Sequence, residues 1–173
     1  PPTPPAAVDR SGLPTPAAAP DWQPPAVSTW TMPNGITVWY LKQDQAPLLS
    51  LRLVLPRGAA TDPRGKAGLT ALTADLLDEG AAGKSALELN EAFQRLATDY
   101  GVSPATDGVI VALDLLADTL RPSLALLADV LLRPDFPAEE FERRKTQHLA
   151  RALASEADPG GTATVVLRRV LFG

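Results

Sequence analysis

Two kinds of periodicity divide this chain, and their order is what most limits the fold. β-type segments come first, and segments with apolar stripes at helical spacing dominate the rest. Residues 28–41 read STWTMPNGITVWYL, where Pro33-Asn34-Gly35 separates two β-prone runs as a hairpin turn does. Ile36, Val38 and Tyr40 alternate there with Thr37 and Trp39. LLSLRLVL at 48–55 puts Leu49, Leu51, Leu53 and Leu55 on one side, and Arg57-Gly58 ends that strand. A further strand, VIVALDLL, follows the Asp107-Gly108 turn.

Between and after these lie helices. Residues 68–77 predict a short one, with Leu69, Leu72 and Leu76 on one stripe and Gly80 as its C-terminal cap. Ser85-Ala86-Leu87-Glu88 is a capping box. It opens a helix striped by Leu89, Ala92, Phe93, Leu96 and Tyr100, which Gly101 ends. Pro122 suits the first turn of a helix carrying Leu124, Leu127 and Leu131, stopped by Pro134. Pro137 opens a longer helix to about Ala157; Asp158-Pro159-Gly160-Gly161 breaks it, and Thr162 caps a last short helix. Segregated β and α runs predict an α+β domain, a mixed and mostly antiparallel sheet with helices packed on one face. No strand follows the last helix to complete that sheet, so residues 28–173 read as the front part of a longer domain.

Residues 1–27 are different material, rich in Pro and Ala and without a period, and predict a semi-extended tether or linker. Trp22 either docks on the folded part or stays exposed. Of the 173 residues 45% are hydrophobic, enough for one core but not two. Net charge is −4 with lysines and arginines scattered among acids, which gives no footprint for nucleic acid. No apolar run approaches the roughly 20 residues of a membrane span. The chain begins at Pro1 and not at Met, as a piece whose upstream signal has been lost would. There is no cysteine and a single histidine, His148, so neither a thiolate site nor a two-histidine metal site can be built from this chain.

Five blocks in order resemble one family. They are PNGITVWYL, LRLVLPRGAATDPRGKAGLTALTADLLDEG, KSALELNEAFQRLATDYG, LLADVLLRPDFPAEEFERRK and DPGGTATVVLRRVLFG. Residues 30–173 resemble the front half of a domain of the pitrilysin/insulinase (M16) zinc peptidases, which include mitochondrial processing peptidase and the respiratory-chain core subunits. The resemblance implies their α+β fold. In active members the helix after a Gly-Leu pair carries His-x-x-Glu-His. Its histidines, one turn apart, bind one zinc, its glutamate polarises the bound water, and a distal glutamate completes the site. On that alignment Ala71 stands for the first histidine, Ala74 for the catalytic glutamate, Asp75 for the second histidine and Arg151 for the distal glutamate. The four positions are degenerate, and an arginine there repels a cation.

The resemblance therefore implies a non-catalytic domain that pairs with an active M16 half, fused or separate, to enclose a peptide-binding chamber. No catalytic or metal-binding residue and no cofactor is expected in this chain; zinc belongs to the active partner. Two alternatives stand beside it: a zinc endopeptidase with ligands from elsewhere, and an assembly subunit like the respiratory-chain core proteins. The lack of cysteine is compatible with either redox compartment, and a tethered, cysteine-free domain of this style is expected in the bacterial envelope, periplasmic or secreted. Other expectations concern single residues. Asp75, Asp78 and Glu79 read as a solvated helix end rather than an alternative metal site. His148 reads as a satisfied, half-buried histidine near Phe141, Leu149 and Ala152. Trp30, Trp39, Phe93 and Phe141 read as core or interface, with the two phenylalanines in the core. Arg151 is expected to pair with Glu156 or, across the former metal position, with Asp75, so that alanine there alters stability noticeably.

Overall fold

A computed structural model describes residues 21–172. The Pro/Ala-rich stretch over residues 1–20 lies outside the described residues. The chain divides into two compact units, the first ending at Asp44 and the second beginning at Gln45.

The first unit is a hairpin of β1 (Val27–Thr31) and β2 (Thr37–Leu41), antiparallel with Trp30 opposite Val38. Its turn follows from Pro33-Asn34-Gly35. Gly35 takes φ +86°, a left-handed value that favours glycine, and donates to the Met32 carbonyl at 2.9 Å. The Ile36 amide donates to the Asn34 side chain at 3.2 Å. Trp30 meets Tyr40 edge to face at 6.3 Å, yet Trp30 and Trp39 are both exposed and form no core. Trp22 is also exposed.

The second unit is built on a three-stranded antiparallel sheet in the order β3 (Leu48–Leu55), β7 (Val109–Leu116), β6 (Asp99–Pro104). Register sets Leu49 opposite Leu115, Leu51 opposite Leu113 and Leu53 opposite Val111, so the alternation puts these six on one face. Leu55, expected with them, is exposed at the strand's end. The helices α2 (Ala86–Arg95) and α3 (Leu120–Leu132) cover that face with Leu89, Phe93, Leu126, Leu127 and Val130. Leu89, Val111, Leu113 and Val130 are almost wholly buried. Truncating one such leucine to alanine costs about 2–5 kcal/mol. On the opposite face Arg52 reaches Asp114 with two hydrogen bonds, at 3.0 and 2.9 Å.

The remaining elements are α1 (Leu69–Leu76), the short antiparallel pair β4 (Gly80–Ala81) and β5 (Lys84–Ser85), α4 (Ala138–Ala157) and α5 (Pro159–Phe172). Several boundaries differ from expectation for local reasons. Gly80 is not a helix cap. It pairs with Ser85 in a tight hairpin whose turn residues Ala82 and Gly83 have φ of 52° and 75°, and Asp135 accepts from the Gly83 amide at 2.8 Å. The capping box of α2 forms as read, but α2 stops at Arg95. The Thr98 amide donates to the Phe93 carbonyl and Ala97 donates to Gln94, with Ala97 at φ 48°, which is a Schellman ending without its usual glycine. Tyr100 and Gly101 therefore lie in β6. Tyr100 still stacks on Phe93, at 5.0 Å, but from a strand.

In α3 the buried line is Ser123, Leu126, Leu127 and Val130, so Leu127 is core as read while Leu124 is exposed. Phe141, expected in the core, lies on the surface of α4. The carboxylate of Asp158, not Thr162, caps α5, taking the Gly161 amide at 2.6 Å with Pro159 in the first turn. Gly58 ends the strand as read, and it must be glycine. A Cβ there would lie 2.3 Å from the Ala105 carbonyl oxygen and 2.4 Å from the Gly108 nitrogen.

Candidate functional site

Asp62 fixes where α1 begins. Gly68, just before the helix, is left-handed at φ 92° and offers no capping side chain. Asp62 supplies the cap from six residues upstream. One carboxylate oxygen takes the Gly68 amide at 2.9 Å, and the other takes the Thr70 amide at 3.0 Å and its hydroxyl at 2.6 Å. The Thr70 hydroxyl first, then these amides, hold the Asp62 carboxyl below the usual carboxylate range. The helix so placed carries Ala71, Ala74 and Asp75, with Ala74 buried.

Along α1 and its final turn, Asp75 and Glu79 stand four residues apart; along α4, Arg144 and His148 stand four apart. The two helices run antiparallel past each other, so each step along one meets a step back along the other. Nε2 of His148 lies 2.8 Å from an Asp75 carboxylate oxygen. Glu79 accepts from Arg144 Nε at 2.5 Å and from Arg143 Nη2 at 2.7 Å. Glu79 is only 6% exposed, which corrects the expectation of a solvated helix end. Arg143 and Arg144 of α4 close over it and remove it from water. Burial works against its charge, but the hydrogen bonds from the two guanidinium groups outweigh it and hold the carboxyl below the usual range. No residue of α4 is fully buried, so charge and hydrogen bonding carry much of its attachment to α1.

Around this seam, partial burial and then the charge of Glu79 push the Asp78 carboxyl up. Burial, with Asp78 adding to it, pushes the Tyr100 phenol up. The Tyr100 hydroxyl is buried without a hydrogen-bond partner among the described residues.

The four positions singled out in the sequence fall on these two helices. Ala71, Ala74 and Asp75 are on α1 and Arg151 is on α4. Asp75 and Arg151 are brought together at 3.8 Å, and among the described residues Arg151 has no pair with Glu156. Arg151 is 66% exposed and Asp75 is held mainly by His148. His148 is half-buried and satisfied as read, but by Asp75, a partner that reasoning along its own helix misses. The matched four-residue spacing of acids on α1 and bases on α4 is the signal for both that pair and the one at Glu79.

The donor set does not fit a zinc ion. Such a site takes three or four protein ligands, and among the described residues no group of three or more His, Asp or Glu side chains is arranged to hold a metal. Here one carboxylate and one imidazole bond each other, with a guanidinium alongside.

The model of the insulinase peptidase family, M16, matches residues 37–170. The chain belongs to that family. It is similar to a non-peptidase homolog, YmxG, of Helicobacter pylori (strain ATCC 700392 / 26695), 26% identical over 137 residues that make up 79% of this chain and 32% of the relative. It is also similar to the peptidase M16 inactive domain of Pseudomonas fluorescens, with TM-score 0.79 and 32% identity over 83% of this chain and 35% of that one. A protease of Helicobacter pylori shares the fold at TM-score 0.69 and 18% identity, over 80% of this chain and 34% of its own. The chain thus spans about a third of the length of these relatives. The M16 likeness bears out the α+β fold: sheet, α2 and α3 form the layered core described above. Among the described residues no helix is long and apolar enough to cross a membrane.

Proposed function

We propose that this M16 domain is non-catalytic and forms, together with an active M16 zinc peptidase half, the wall of a peptide-binding chamber. One observation carries the reading. Asp75, which the resemblance aligns with the second histidine of the active motif, has its carboxylate 2.8 Å from His148 Nε2 and 3.8 Å from Arg151, so it is engaged by side chains of its own chain. Ala71 and Ala74 add neither ligand nor base. Similarity to a relative described as a non-peptidase homolog and to one described as an inactive domain supports the same reading. A domain carried on a Pro/Ala-rich tether fits the cell envelope as its compartment.

The test has two parts. The purified chain is exposed to excess zinc, desalted and assayed for bound metal and for peptide hydrolysis, and neither is expected. It is then mixed with an active M16 zinc peptidase subunit of the same genome. A stable complex, with hydrolysis gained or strengthened only in the mixture, supports pairing. Tightly bound stoichiometric zinc, or hydrolysis by the chain alone, overturns the non-catalytic reading. Failure to associate with any active M16 subunit overturns the pairing.

A further inference from the structure

The turn of the first unit's hairpin carries two groups that can react with each other: the side-chain amide of Asn34 and the backbone nitrogen of Gly35 that follows it. Both residues are exposed. Gly35 brings no side chain to crowd its nitrogen, and a Cβ built there would meet nothing within 4 Å. The folded hairpin nevertheless keeps both groups occupied. The Gly35 amide donates to the Met32 carbonyl at 2.9 Å, and Asn34 Oδ1 accepts from the Ile36 amide at 3.2 Å. Around them the Met32 amide donates to the Ile36 carbonyl at 2.8 Å and closes the end of the β1–β2 ladder. Attack of one group on the other therefore requires the turn to open, with the Gly35 N–H leaving Met32 and the Asn34 carboxamide leaving Ile36. A two-stranded hairpin is only marginally stable by itself. The edge-to-face contact of Trp30 with Tyr40, at 6.3 Å, helps to keep this one closed.

We propose that Asn34 is a site of spontaneous chemical modification, deamidation through a succinimide, and that the closed hairpin is the gate that holds it back. Gly35 N forms a bond to Asn34 Cγ, the Cγ–Nδ2 bond breaks, and the side-chain nitrogen leaves as ammonia, carrying the proton lost by the Gly35 amide. One water then opens the ring. Cleavage at Cγ leaves aspartate; cleavage at the backbone carbonyl leaves isoaspartate, whose main chain runs through Cβ and Cγ. No oxidant or reductant takes part. Either product adds a carboxylate at the turn. Isoaspartate also lengthens the main chain between Pro33 and Gly35, so the turn no longer matches the register that sets Thr31 opposite Thr37. Asn90 is the contrasting asparagine. It lies within α2 and is followed by Glu91, whose side chain crowds the nitrogen that would attack. The inference is independent of the metal position and of any peptidase partner.

The full chain is incubated at mildly alkaline pH, in buffer and in guanidinium chloride, and the peptide containing residue 34 is followed by chromatography and mass spectrometry. Asn34→Asp supplies the elution standard that separates aspartate from isoaspartate of equal mass. Both products are expected, forming about tenfold faster in guanidinium chloride, which corresponds to an opening cost of about 1.4 kcal/mol. Trp30→Ala, which removes the contact with Tyr40, should speed the reaction in buffer about threefold. Gly35→Ala should lose most of the conversion in guanidinium chloride, where the folded turn no longer matters and only the crowding of the nitrogen remains. Asn90 should stay unconverted in buffer. The site is overturned by no conversion at residue 34 in guanidinium chloride, by conversion of Asn90 that keeps pace with it, or by undiminished conversion in Gly35→Ala. Equal rates in buffer and in guanidinium chloride, together with no acceleration in Trp30→Ala, overturn the gate.

Discussion

Glu79 shows how one buried charge is made tolerable. It lies at the end of α1, 6% exposed, and two arginines reach it from α4. Removing one member of a buried pair leaves the others desolvated and uncompensated. Glu79→Gln should therefore lower unfolding stability by about 2–4 kcal/mol, at the low end because Arg143 remains half exposed and can turn to water. Urea unfolding with unchanged slope would measure it. The pH dependence has a definite sign. The folded carboxyl is depressed, so its contribution is full above the ordinary glutamate range near about 4.3 and is lost as pH falls through the lower folded value. The stability difference between wild type and Glu79→Gln should shrink across that acid window. Arg151 is the contrasting residue. At 66% exposure and 3.8 Å from Asp75 its pair is screened, so Arg151→Ala should change stability by less than about 0.5 kcal/mol, against the noticeable effect expected from sequence. A thermal melt of the variant decides between the two.

At the level of elements, α1 and α4 meet as an antiparallel pair matched in charge, and Asp62 fixes the start of α1 so that the match falls in register. The His148–Asp75 bond is the link nearest the proposed former metal position. A double-mutant cycle with Asp75→Asn and His148→Gln should give a coupling of about 0.5–1.5 kcal/mol, the net worth of one partly buried hydrogen bond. Coupling near zero would mean that the two side chains make no net interaction in solution. The sheet and α2–α3 are held differently, by apolar packing across one face, and should be indifferent to both substitutions. Amide hydrogen exchange separates the two regions, with faster exchange expected in α1 and α4 and unchanged protection in β7.

For the whole molecule, the strongest prediction concerns reversal of the loss. If Ala71, Ala74, Asp75 and Arg151 occupy the former site, then Ala71→His, Ala74→Glu, Asp75→His and Arg151→Glu together should rebuild it. The quadruple variant should retain about one zinc per chain after desalting, as a site with three protein ligands does, while the parent retains none. A folded quadruple variant that holds no zinc would sink the assignment of these four positions. The molecule also leaves Val165, Leu167, Val170 and Leu171 of α5 exposed, and it spans about a third of the length of its relatives.

What the sequence determined by itself is what local physics writes at short range. Alternation marked β3, the Asp107-Gly108 turn marked the start of β7, Pro33-Asn34-Gly35 the hairpin, Ser85 and Glu88 the start of α2, and Pro137 that of α4. The family was legible too, because order and spacing of whole blocks survive where single ligands do not. Elements that depended on non-local partners were not legible. β6 was read as the end of a helix because Ala97 adopts a left-handed conformation with no glycine to announce it, and strand pairing with β7 then captures Tyr100 and Gly101. Gly80 looked like a cap until its pairing with Ser85 made it a strand. At the site, the sequence supplied the four positions, but only the tertiary structure brought Asp75 to His148 and Glu79 to two arginines. Those contacts join residues more than 60 positions apart, and their energy exists only once α4 has folded back along α1.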